Sequence, residues 1–494
     1  MFNRRNFLLS TAAGITALAL PPGVAMAQGA SLDQALTVDR WASLRGLIGD
    51  GLIRAGEAGF DNAALPNNLR FSHVRPEGIA YCSTPEMVAE VINWCRDHDM
   101  PFAIRGGGHS YAGYSTSHGL VIDMALMNEI ALDPETGIAT IVAGAINASV
   151  YAALDEAGRT ITHGRCPTVG IAGYLLGGGI GFNMRRYGMA CDALISAEMV
   201  TADGRILTLS AEENPDLFWA IRGGAGGNFG VMTRFTLQTQ PADATMTVFR
   251  MVWRSNVLDV ATSLFEALDA APDALGTRIS FGGLNAAMLE RGRQVPLTLL
   301  GQFAGTRADF EALMAPVLAL GTPEFSEIRE LGYWDAQTFL SDAGDPEHYR
   351  ERSSFHDAAP SREFLETAIA EMARWPGTGS SANLVFFQTG GRINETAADA
   401  TAFVHRQSRW LSTANLSWAE DDVAREAVVR ANTDWQDRLY GHVTAADTRG
   451  AFQNFPDPSL VDWRERYYGE NLPRLSAIKG AIDPTNVFRF GQSI

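Results

Sequence analysis

Three glycine clusters constrain this chain more than anything else in it. They are "RGGGHSYAGYS" at 105–115, "GGGIG" at 177–181 and "RGGAGGNFG" at 222–230. A run of glycines has no Cβ, tolerates positive φ, and lets backbone N–H groups come close to a ligand. Successive N–H groups in such a turn make a nest for an anion, and a pyrophosphate is a natural guest. Each cluster sits beside a different element. The first follows the short strand "PFAIR", the second the apolar turn "GIAGYLL", and the third lies between a helix and the strand "GVMTRFTLQTQ". Spread out in this way, they point to a long ligand lying across one domain. The usual dinucleotide fold would open its first helix with G-x-G-x-x-G after a strand and place an acid about 20 residues on. "GGGIGFNMRRYG" follows no clear strand, and no single βαβ unit holds all three clusters.

At 494 residues the chain exceeds one ordinary core, so two domains are expected. Strand and helix signals alternate to about residue 240. "TPEMVAEVINWCRDHDM" is a helix capped by Thr84 with Pro85 in its first turn, and "ALISAEMVTADGRILTLS" is a hairpin turning at Asp203-Gly204. At "QPADAT" (240–245) the glycine clusters stop and longer amphipathic helices such as "SREFLETAIAEMARW" begin. Glycine punctuation returns at the end. The reading is α+β throughout: a first domain over 60–240, a second over 241–449, and a segment 450–494 returning to the first. The net charge of −17 argues against nucleic acid or an anionic membrane surface as partner, and no span crosses a membrane in the mature body. Arg4 and Arg5 precede a short apolar stretch and an A-x-A site at Ala25–Ala27, which reads as a twin-arginine signal over 1–27 and export to the periplasm or beyond. Four cysteines in so long a chain make no disulfide scaffold.

His109 ends the first glycine loop, and Cys166 stands just before the second. An imidazole and a thiol are also metal ligands, but no third or fourth ligand lies near them in sequence, and no metal is expected. Both can add to an electrophilic aromatic ring.

"RGGGHSYAGYS", "GRCPTVGIAGYLLGGGIG", "RGGAGGNFGVMTRF" and "YYGENLPRLSAIKGAIDPTNVFRFGQSI" together resemble the berberine bridge enzyme-like FAD-linked oxidoreductases of the vanillyl-alcohol oxidase / p-cresol methylhydroxylase superfamily. "DATAFVHR" at 399–406 matches a landmark of the family's substrate domain. The resemblance implies a p-cresol methylhydroxylase-type FAD domain with an inserted substrate domain. It also implies bicovalent FAD, joined through the 8α-methyl to His109 and through C6 to Cys166, which raises the flavin's potential. It assigns flavin-binding positions to Arg105, Gly106, Gly107, Gly108, Ser110, Val169, Gly170, Gly173, Gly177, Gly178, Gly179, Gly181, Asn228, Gly230, Val231 and Asn454. A valine at 169 goes with oxidases, so O2 is the implied acceptor and H2O2 the product. Phe455 in "FQNF" stands where relatives carry a tyrosine that serves as base, and the strand "WLSTANLSW" offers neither Glu nor Tyr. Tyr114, His163, Tyr440 and His442 remain as candidates by chemistry alone. The expected reaction is hydride transfer from an alcohol or a benzylic or phenolic-type carbon of a bulky small molecule. The alternatives are an oligosaccharide oxidase, a flavin dehydrogenase with another acceptor, and a silent flavin-binding protein.

Overall fold

The computed structural model describes residues 32–377, 381–445 and 448–494. The signal peptide expected over 1–27 lies outside them. The chain divides into Met1–Ser43 and Leu44–Ile494, and the sheets and the glycine loops belong to the second unit.

The first glycine loop is placed by a small four-stranded sheet. The helix Pro85–Asp97 begins where Thr84 Oγ1 accepts the Met87 N–H at 3.2 Å, and it buries Val88, Val91, Ile92 and Trp94. It links the strands Gly78–Tyr81 and Phe102–Arg105, which both pair in parallel with Leu120–Asp123. The glycines therefore begin where a buried parallel strand ends. Next comes a five-stranded antiparallel sheet in the order Ile130–Asp133, Ile138–Val142, Val231–Gln238, Leu194–Val200, Ile206–Ser210. Its last two strands are the hairpin expected at Asp203-Gly204, with Gly204 at φ 80°.

From Met246 to Gly450 the strands build one eight-stranded antiparallel sheet. Five of its central strands run in the spatial order Leu297–Phe303, Leu275–Gly282, Ser381–Gln388, Trp410–Trp418, His348–His356. Side chains alternate across a strand with period two. Ile279, Phe281, Leu384, Phe386, Ala414 and Leu416 thus point into a core with Leu264, Leu268, Leu365 and Leu439 from the covering helices. The opposite face is left for a cavity.

Two devices tie the sheets together. Arg406, buried, makes a bidentate pair with Asp192 at 2.6 and 2.7 Å, while Phe403 packs on Gly178 and Gly223. The "AFVHR" landmark is thus a clamp onto the turn after the second glycine cluster. The C-terminal stretch crosses back: Gln453 donates to Gly223 O, Asn454 to Tyr174 O, and the buried Lys479 ammonium to Asn228 O and Phe488 O.

Candidate active site

One cavity of about 1080 Å³ is walled by the glycine loops, by the free face of the eight-stranded sheet and by the stretch 452–456. That exceeds the usual range for a single small ligand, roughly 300–1,000 Å³. Among the residues assigned to flavin by the sequence, Gly106, Gly107, Gly108, His109, Ser110, Cys166, Val169, Gly170, Gly173, Gly181, Gly230 and Asn454 line it. A Cβ on Gly107 would lie 2.2 Å from Gly170 N, so both loops need glycine to touch. Gly108 has φ 76°, and a Cβ on Gly173 would meet nothing within 4 Å. These are the marks of a cradle open to a ligand backbone, and they fit FAD.

Six assigned residues lie behind the wall instead. Arg105 is buried against Asp123 and donates to Ala63 O. Gly177 makes room for Asn454, and Gly178 and Gly179, at φ 117° and 77°, pack on Met189 and Tyr174. Asn228 is fully buried and ties Gly224, Lys479 and Ile494 together; Val231 starts a strand. They shape the cradle without facing it.

The two nucleophiles meet at one hydroxyl. His109 Nε2 lies 2.9 Å and Cys166 Sγ 3.4 Å from Thr168 Oγ1, which donates its own proton to Gly344 O at 3.1 Å. Toward His109 the hydroxyl therefore accepts. Nε2 carries the hydrogen and Nδ1 keeps its lone pair. Burial pushes the His109 pKa down to about 4, so the imidazole is neutral and nucleophilic. The other three cysteines are buried. Burial pushes the Cys82 thiol up to about 12, and those of Cys95 and Cys191 higher still. Cys166 alone is half-exposed, at the cavity.

The proposed bases fare differently. Tyr440 and His442 sit on the helix Glu426–Ala445, on the covered side of the sheet. Tyr440 donates to Ser353 O beneath Arg352, and His442 stacks on Phe364. Neither reaches the cavity. His163 is buried with Tyr333 and Trp334. Tyr114 lines the cavity but packs on Phe490, and burial raises its phenol well above the ordinary value. Phe455 packs at a tilt against Tyr111, whose phenol is pushed up the same way.

The cavity holds a carboxylate that the sequence reading passed over. Glu351 stands on the strand His348–His356, opposite Asn415, whose Nδ2 donates to its Oε2 at 2.6 Å. Burial raises its pKa above the usual carboxylate range, opposed by the Thr413 hydroxyl, by the Asn415 amide and by the field of Arg278. The available signal was the alternation in "HYRERSSFH": Arg350 and Arg352 face the helix while Glu351 faces the cavity.

Comparisons with known proteins agree with this geometry. The family described as FAD binding domain matches residues 76–210, and the one described as berberine and berberine like matches 451–494. An uncharacterised FAD-linked oxidoreductase of Bacillus subtilis, YgaK, is 32% identical over 439 residues, covering 86% of this chain and 93% of that protein. A glucooligosaccharide oxidase of Sarocladium strictum is 28% identical over 458 residues, covering 87% and 89%. The solved structure of wild-type BBE-like 1 from Physcomitrella patens superposes with a TM-score of 0.80 at 28% identity, covering 91% of this chain and 98% of that one.

Proposed function

The chain belongs to the berberine bridge enzyme-like family and is an FAD-dependent oxidoreductase; from that premise we propose that it is an oxidase acting on a bulky substrate at a carbon bearing hydroxyl or an aromatic ring, with FAD held through both His109 and Cys166. The observation that carries this is the shared contact of His109 and Cys166 with the Thr168 hydroxyl inside a glycine-lined cavity. FAD held in this cradle would supply the hydride acceptor, with O2 as the final electron acceptor and H2O2 as the product.

The chain's own groups do the rest. Thr168 holds His109 in the tautomer whose Nδ1 is free to form the bond to the flavin, and the half-exposed Cys166 supplies the second attachment. Glu351 takes the substrate hydroxyl proton at Oε1, the oxygen that Asn415 does not hold. Val169 at the cavity wall is small enough to leave oxygen a path. Arg4, Arg5 and the A-x-A site support export by the twin-arginine route to the periplasm or beyond.

A second reading, an oligosaccharide oxidase, has its own support. Asn383, Thr413, Asn415 and Ser417 line the substrate side with amides and hydroxyls suited to a polyol.

Acid-precipitated protein should stay yellow, and peptide mapping should find one FAD joining a His109 peptide to a Cys166 peptide. His109→Ala and Cys166→Ala should each keep the flavin through the surviving link, and the double variant should release it. Screening of alcohols, phenols and sugars should yield peroxide. Free FAD from denatured wild-type protein would end the bicovalent reading, and a flavin reduced by substrate but not reoxidised by air would end the oxidase reading.

A further inference from the structure

The cavity face of the eight-stranded sheet carries a guanidinium with no ion-pair partner. Arg278, on Leu275–Gly282, pairs in register with Phe387 and lies on the cavity side of its strand. Its Nε is buried with no hydrogen-bond partner, and among the described residues no carboxylate lies within ion-pair distance of the guanidinium. The Phe387 ring, 5.9 Å away, is its neighbour on the next strand. Burial and the nearby Arg165 bring its pKa down to about 10, so it stays charged at neutral pH.

Of the other arginines lining the cavity, Arg489 is exposed to solvent and Arg165 is paired. Arg165 donates to Leu340 O at 2.9 Å and pairs with Asp342 at 3.5 Å. Glu351 is held by Asn415 and influences Arg278 only from beyond contact. Asp342, Asp345 and Glu347 stand exposed at the mouth, where solvent screens them. A desolvated guanidinium with no partner is costly unless a ligand brings the countercharge. Its planar fork matches a carboxylate.

We propose that Arg278 anchors a carboxylate on the substrate, so that the molecule oxidised here is an acid as well as an alcohol. The proposal rests on the oxidase reading above and narrows its substrate. The register adds a length. Asn383 and Asn415 face each other four residues, or about 13 Å of strand, from the Arg278–Phe387 row. The strand length between the two rows leaves room for a ligand of more than one ring. Amides at one end and a guanidinium at the other suit an oligosaccharide containing a uronic acid better than an aromatic acid.

The test uses the holoenzyme and matched pairs: cellobiose against cellobiouronic acid, and 4-hydroxymethylbenzyl alcohol against 4-hydroxymethylbenzoate. Anaerobic flavin reduction gives kcat/KM for each. The acid should be preferred at least tenfold in one pair; which pair it is separates a sugar acid from an aromatic acid, and either sustains the anchor. In Arg278→Gln that acid-to-neutral ratio should fall at least tenfold, and in Arg278→Lys by less. Binding of cellobiouronic acid, read from the visible difference spectrum of the flavin at low temperature, should weaken in parallel and lose its salt dependence. Equal rates for acid and neutral members overturn the anchor while leaving the oxidase reading intact. So does an Arg278→Gln protein whose ratio is unchanged but whose resting flavin spectrum shifts, because Arg278 would then serve the cofactor. If no compound of either pair reduces the flavin, yet acids still bind in an Arg278-dependent way, the oxidase reading fails and the anion site stands.

Discussion

Glu351 shows how one side chain acquires a chemical role from its surroundings. The same residue on an exposed strand would titrate near the usual carboxylate value and do nothing. Here burial raises that value, Asn415 orients one oxygen, and the residue lines the cavity. A base must be ionised to work, so kcat/KM should fall as pH drops through a pKa above the ordinary range for Glu. Glu351→Gln keeps the shape and the Asn415 contact but cannot accept a proton. General-base catalysis is worth about 10²–10⁴-fold, so flavin reduction should slow by roughly 10²–10³ and the acidic limb of the pH profile should vanish. Stopped-flow reduction at several pH values measures both. A Gln variant within twofold of wild type, or one that keeps the limb, would assign the proton to another group. Neither Tyr111 nor Tyr114 is a ready substitute, since burial holds both phenols protonated at neutral pH.

Elements meet here through a few buried polar clamps, of which Arg406–Asp192 joins the "AFVHR" segment to the turn Ala190–Ala193. Asp192 Oδ2 also accepts the Met189 N–H at 2.9 Å. Asp192→Asn leaves the buried guanidinium without its charge partner, a change that costs about 3–5 kcal/mol when a buried pair is broken from one side. The urea midpoint should fall accordingly, and flavin should dissociate earlier in the transition in a variant that also lacks the covalent links. An unchanged midpoint would mean that the pair only offsets its own desolvation. Elements of this kind divide clearly into those the sequence exposes and those it hides. The helix Pro85–Asp97 and the hairpin around Gly204 are legible because a cap, a proline and an Asp-Gly turn act within a few residues. The glycine loops are legible because only a close backbone approach needs them. Glu351 and Arg278 are not, because they come together through strand register: they sit on strands separated in the sheet by Ser381–Gln388 and Trp410–Trp418. The motif "RER" reads as surface charge until Arg350 and Arg352 are seen to bind Gln436 and Asp437 behind the sheet. Tyr440 and His442 show the converse, since they have the right chemistry on the wrong face of the sheet.

Besides His109, three imidazoles away from the cavity are kept neutral by burial. His163 bonds Tyr333, His356 bonds Ser412, and His405 stacks on Phe355. Their pKa values are pushed down to about 4, 4 and 3. In the unfolded chain all three would titrate near 6.5. Below that value the unfolded state binds protons that the folded state refuses, so their contribution to stability is intact above pH 6.5 and is lost as pH falls toward 4. Asp123 and Glu351 work the other way, since burial raises their values and the folded state holds their protons longer. Between the unfolded and the folded value of each carboxyl the folded state holds a proton the unfolded chain has lost, which opposes the slope set by the imidazoles. Each such imidazole adds about 1.4 kcal/mol per pH unit to the slope, so these three together contribute about 4 kcal/mol per pH unit. His356→Gln removes one of them and should flatten the dependence by about 1.4 kcal/mol per unit, whatever it does to stability at pH 7. Urea unfolding at half-unit steps from pH 6.5 to 5 reads the slope directly. If the variant runs parallel to wild type, His356 is already protonated in the folded protein, and its burial beside Ser412 does not exclude the charge.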